Sequence, residues 1–147
     1  MNVPNLAFYI GRTLNRNVVI YTFNIKDDVI DLFEPLKINW IMREKDNDLE
    51  DLTYLESSMA YGYEVLNNHT KDIALKIKAL PEHTVLIRRV DNKYKCIINI
   101  DDTSNEQYLK KVFVHHTGNI QVNVTSIDII YEDPETGKLH TYVKTTA

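Results

Sequence analysis

At 147 residues the chain has room for one hydrophobic core and reads as a single β-rich domain over 1–147, able to bury about two thirds of its unfolded surface without metal or disulfide. A hydrophobic share of 44% beside a charged share of 26% excludes the composition of a disordered chain. The net charge of −4 argues against a nucleic-acid binder's dense basic stripe over most of the surface, leaving only 71–95 open to that reading, and the lack of any run of about eighteen apolar residues excludes a helical membrane span.

From the N-terminus, the first dozen residues lack a basic stretch followed by a sustained apolar one, so no secretion signal is expected. Short β-branched and aromatic runs then follow one another in period two, clearest in Ile120-Gln-Val-Asn-Val-Thr125. Side chains that alternate faces bury one side and wet the other. The pattern predicts strands near 6–11, 17–23 and 36–43, then 61–67, 72–79, 84–90, 94–100, 107–115, 119–131 and 138–145. Between the third and fourth, Leu52, Leu55 and Met59 fall on one helical face with Asp48 as a cap, which predicts one short helix near 49–59. The acidic stretch 44–51 that leads into it reads as a solvated loop.

Turn chemistry links the later runs: Asp91-Asn92 suits a two-residue hairpin, Thr117-Gly-Asn119 another, and Asp133-Pro-Glu-Thr-Gly137 a longer one with glycine free to take positive φ. Consecutive strands are therefore expected to pair as neighbours. The fold class is mainly β, an antiparallel meander forming a barrel or a sandwich, with the helix closing an open end or covering an edge.

Chemistry is less legible than architecture. His115 and His116 are adjacent on a strand and point to opposite faces, and His69, His83 and His140 have no paired spacing, so no metal site is expected. Asp46-Asn-Asp48 lacks the glycine and closing glutamate of a calcium loop. Ser57-Ser58 has no glycine elbow, and four glycines in the chain leave no phosphate loop. Cys96 is the only cysteine and sits in the apolar run Cys96-Ile-Ile98. It reads as a buried, inert thiol of a reducing, cytoplasmic compartment. No cofactor and no catalytic residue are expected, and an enzyme of unknown reaction is the third-ranked reading.

The first-ranked reading is a non-catalytic binder of a small apolar or anionic ligand. Tyr21, Trp40, Tyr61 and Tyr63 would line its interior, with Arg12 or Arg43 at the mouth to clamp a carboxylate or phosphate. The second is a protein-interaction or scaffold module. Residues 1–70 carry eleven acids against six bases, whereas 71–95 carry seven bases against three acids. Paired strands would gather Lys76, Lys78, Arg88 and Lys95 into a basic outer face, and a long edge strand near 119–131 would offer a further docking line.

Phe8-Tyr-Ile-Gly-Arg-Thr-Leu-Asn-Arg-Asn-Val-Val-Ile-Tyr21, Ile38-Asn-Trp-Ile-Met-Arg43 and Leu52-Thr-Tyr-Leu-Glu followed by Ala60-Tyr-Gly-Tyr63 stand in an order that resembles the domain of unknown function 4833 family. Leu109-Lys-Lys-Val-Phe-Val114 and the turn 133–137 fit the same resemblance, which covers nearly the whole chain. It implies a small free-standing domain and lends no reaction, cofactor or site residue to any position.

Overall fold

The computed structural model describes residues 2–100, 105–117 and 123–145, and it is mainly β, a strongly curled half-barrel sheet with one short helix. In chain order, β1 (Leu6–Arg12) and β2 (Asn15–Phe23) form a hairpin, and β3 (Ile25–Lys26) and β4 (Val29–Ile30) form a small separate one. Next, β5 (Leu36–Met42) lies against β2, and a 3-10 turn at Arg43–Lys45 leads into β6 (Asp48–Asp51). A helical segment follows, α1 (Tyr54–Glu56) running into a π-helical turn at Ser57–Tyr61. Then come β7 (Tyr63–Asn67), β8 (Ile73–Ile77), β9 (Thr84–Val90), β10 (Lys93–Ile98), β11 (Gln107–Thr117), β12 (Asn123–Glu132) and β13 (Leu139–Thr145).

The main sheet runs β6-β5-β2-β1-β11-β10-β9-β8-β7, with β12 on the other side of β11 and β13 outside β12. Its pairings are antiparallel except one: β1 lies parallel to β11, from Tyr9 opposite Lys111 to Arg12 opposite Val114. That pair departs from a pure meander. β12 occupies one edge of β11 along its length, so the other edge is shared, Gln107 and Tyr108 facing β10 and 111–114 facing β1. Two antiparallel arms thus meet on one long central strand. Because β1 and β11 are far apart in sequence, the parallel pairing meets its need for a long connection.

The arms curl around one core. Phe8, Ile10, Val19, Tyr21 and Leu36 of the first arm pack with Leu75, Ile77, Val85, Ile87, Cys96 and Ile98 of the second, and Val112 and Ile129 complete the floor. Val18, Ile20 and Ile41 point the other way and form a small outer cluster with Val3, Leu6 and Tyr9. This second cluster is why 18–21 reads as a continuous apolar run. Cys96 is fully buried and free, and burial pushes its thiol far above the ordinary range.

Turns follow the residue chemistry. Asp91 and Asn92 both take positive φ between Val90 and Lys93, as a two-residue type I′ hairpin requires, and Gly137 sits at φ +73° in the longer turn. Thr117 ends β11, whereas Gly118, Asn119 and the alternation at 120–122 lie outside the described residues.

The helix is corrected most. Residues 48–51 are strand, pairing with β5 from Asn39 opposite Asp51 to Met42 opposite Asp48. Thr53, not Asp48, starts the helix through a capping box: Glu56 N donates to Thr53 Oγ1 at 3.2 Å, and Thr53 N donates to Glu56 Oε1 at 2.8 Å. The π turn carries it on to Tyr61 and shifts the buried face. Leu55 and Met59 are 67% and 76% exposed, while Tyr61, expected on a strand, is buried at the helix end.

Candidate functional site

Four of the six expected ligand-binding residues converge. Tyr21 is fully buried and stacked on Phe8 at 4.2 Å, and its hydroxyl donates to the carbonyl of Tyr61, an acceptor that a helix C-terminus leaves without a partner inside the helix. The Tyr61 ring meets Trp40 edge-on at 5.6 Å, and its hydroxyl accepts from Arg12 Nη1 at 3.2 Å. Trp40 Nε1 donates to Glu56 Oε2 at 3.2 Å. Glu56 thus holds a backbone amide with one oxygen and an indole with the other, and the Thr53 amide, ahead of Trp40, keeps its carboxyl below the usual range. Arg12 Nε is buried and unpartnered. The cluster is packed tight and works as a fastening that pins the helical segment to the first arm.

The cavity lies beyond that fastening. The sheet path ends at β6 and β7, and its arms leave a seam between β5–β6 and β7–β8, where a cleft of about 1000 Å³ opens. Leu36, Ile38, Leu52, Val65 and Ile77 supply apolar walls, and Ser57, Ser58 and Gly62 of the helix end form one side. Lys76 and Lys78, with Glu34, Asp51 and Glu64, stand around it. Tyr63 bridges the seam: its hydroxyl donates to the Leu36 carbonyl at 2.7 Å and accepts from the Leu36 amide at 3.0 Å. One phenol does there what a neighbouring strand would do.

Tyr63, Lys76 and Lys78 therefore line the cleft, and Arg12, Tyr21, Trp40 and Tyr61 stand behind its helical wall. Arg43 is apart from both, on the 3-10 turn after β5 with its amide bonded to Asn17 Oδ1. Ser58 donates to the Leu55 carbonyl. His115 pairs with Asp128 at 2.8 Å, and His140 stacks on Tyr131. Among the described residues no group of three or more His, Cys, Asp or Glu could hold a metal ion. The Thr53-x-x-Glu56 box was a legible signal for the helix start that placement of the apolar residues alone missed.

The basic face is only partly free. Lys95 lies over the Tyr108 ring. Arg88 forks to Asp72 with Nε and Nη2 at 2.8 and 2.7 Å, and also reaches Glu106 at 2.8 Å, so its charge is satisfied inside the fold. Those bonds hold both carboxyls below their ordinary values. Stability from such groups is present above the unfolded pKa near 4 and is lost as pH falls through the lowered folded values. Arg88→Met is expected to cost about 1–2 kcal/mol at neutral pH, a modest figure because the pairs are part-exposed, and less at about pH 2. Urea unfolding of both proteins at the two pH values checks this; an equal gap at both would refute it.

Comparison with known proteins adds a family and no more. A family model described as a domain of unknown function (DUF4833) matches residues 8–141. No curated protein and no solved structure matches. No helix among the described residues is long and apolar enough to cross a membrane.

Proposed function

The chain belongs to the DUF4833 family, and from that premise we propose that it is a non-catalytic binding domain whose seam cleft takes an amphipathic small molecule with an acidic head. The observation that carries this reading is the cleft itself, about 1000 Å³, where apolar side chains of both arms reach the surface between two sheet ends. Ligand sites combine such walls with a few polar groups that orient the ligand. Ile38, Leu52 and Val65, each half-buried, suit an alkyl or aryl body. Lys78 is exposed at the rim and suits an anionic head, whereas Lys76 faces Glu64 across the β7–β8 pair.

Dodecanoate is the test probe, titrated while the emission of Trp40 is followed, since the only tryptophan leans on the Tyr61 ring behind the cleft wall. Saturable binding is expected. Val65→Arg should weaken it about tenfold, equivalent to ~1.4 kcal/mol. Lys78→Glu should weaken dodecanoate and leave an uncharged dodecyl maltoside unaffected. Absence of saturation with either probe, or equal binding by folded Val65→Arg, would refute the cleft as the site.

A further inference from the structure

We propose that the chain self-associates through its last strand, β13 of one copy pairing antiparallel with β13 of a second to join two half-barrels into one continuous sheet. The docking strand expected near 119–131 is not an edge, because β12 lies between β11 and β13. The free edges of the main sheet among the described residues are β6, β7 and β13.

Two of the three carry devices that discourage pairing. β6 is Asp-Leu-Glu-Asp, three acids in four residues. β7 is broken by a bulge between Val65 and Asn67, carries Glu64, and is followed by Asn68, whose side chain ties in the loop at Leu32. β13 has none of them. It pairs with β12 in unbroken register from Ser126–Thr145 to Glu132–Leu139, contains no proline and no acid, and exposes Leu139, Tyr142 and Val143. Its lysine, Lys144, is neutralised by an ion pair with Glu82.

The hydrogen-bond phase fits a second copy. Asp133 N donates to the Lys138 carbonyl, which sets the hydrogen-bonding positions of the hairpin. Counting on in twos, His140, Tyr142 and Lys144 turn their backbone groups toward β12, so Leu139, Thr141, Val143 and Thr145 turn theirs outward. A two-fold axis at Tyr142 sets Thr141 against the partner's Val143 and Leu139 against the partner's Thr145, all outward-facing positions. Both N–H and C=O groups are then satisfied at each pair, about eight ladder bonds in all. Tyr142 meets the partner's Tyr142 on the axis, where side chains approach most closely. Such an isologous contact closes on itself and stops at two copies.

Sedimentation equilibrium of the full chain from about 10 µM to about 1 mM tests this, over the range expected for a small, reversible interface. The mass should rise with concentration from 17.2 kDa toward twice that value. Val143→Pro removes an amide that points away from β12 and should leave a monomer. Thr141→Lys, which leaves the backbone intact, should do the same with an unchanged circular dichroism spectrum, and it decides the matter where the proline variant fails to fold. In the concentrated wild type, amide exchange at Thr141 and Val143 should slow. A wild type that stays monomeric throughout, or a dimer that survives in folded Thr141→Lys, would overturn the proposal, and neither result bears on ligand binding in the cleft.

Discussion

Gly62→Ala should destabilise the protein by about 2–4 kcal/mol, lowering the melting temperature by roughly 6–12 °C. A β-carbon at this position would stand 2.2 Å from the carbonyl oxygen of Ser57 and 3.2 Å from its carbon. Backbone atoms cannot swing aside as a side chain can. The same oxygen accepts from Gly62 N at 2.7 Å, so relief means breaking the last bond of the helical segment or displacing 57–62 as a unit. Gly62 has an ordinary φ of −67°, so its requirement is for space and not for conformational freedom. Gly137 is the reverse case, with φ +73° and open space where a β-carbon would stand. Gly11 faces the Phe113 ring at 3.2 Å and Lys111 Cε at 3.9 Å, side-chain atoms that can move, so Gly11→Ala should cost less than Gly62→Ala. Because Gly62 lines the cleft and its carbonyl accepts from Lys78 N, dodecanoate binding should weaken along with stability. Thermal unfolding and titration of the same variant check both effects; a melting point within about 1 °C of wild type would refute the steric reading.

The strands were legible because period two survives wherever one face meets the core and the other meets water, as at Ile73-Ala-Leu-Lys-Ile77 with its alternating burial. Pairing order was only partly legible. Local turn chemistry announces hairpins such as Asp91-Asn92, but nothing local marks β1 as the parallel neighbour of β11, a pairing made between strands with nine others between them in sequence. The helix was misplaced at its start because Leu52, Leu55 and Met59 obey helical spacing, yet β5 needs an edge partner and takes 48–51 for it. For the site, residue type picked out the aromatics and Arg12, which do converge. It could not separate the residues that fasten the helical wall from those that border the cavity, since that division depends on where two arms of the sheet fail to meet.

Tyr21→Phe is expected to cost about 1–3 kcal/mol at neutral pH, although the ring and its stacking on Phe8 remain. The lost hydroxyl leaves the Tyr61 carbonyl without its donor in the core. The same residue shapes stability in alkali. Burial raises the Tyr21 phenol well above its ordinary 10.0, with the neighbouring Tyr61 adding to the rise. Burial also raises Tyr61, against the lowering influence of Arg12, and Tyr63, against its bond to Leu36. An unfolded chain ionises these phenols from about pH 10 upward while the folded one keeps them neutral. Their contribution is therefore complete below that pH and is lost as pH rises through the folded values. Each phenol can add a slope of up to about 1.4 kcal/mol per pH unit. Lys95 works in the opposite sense, since burial lowers its pKa and the folded state sheds that proton first, but it stands against the three phenols and against Cys96, whose buried thiol is raised as well and stays protonated while the unfolded chain ionises it from about pH 9. Urea unfolding between about pH 9 and 11 should show stability falling gently at first, through Cys96, and more steeply above about pH 10 through the phenols, with a shallower steep limb in Tyr21→Phe because one of the three phenols has been removed. An alkaline slope that the substitution leaves unchanged would mean that Tyr21 ionises as readily in the folded protein as in the unfolded chain, which its place between Phe8 and the Tyr61 carbonyl forbids.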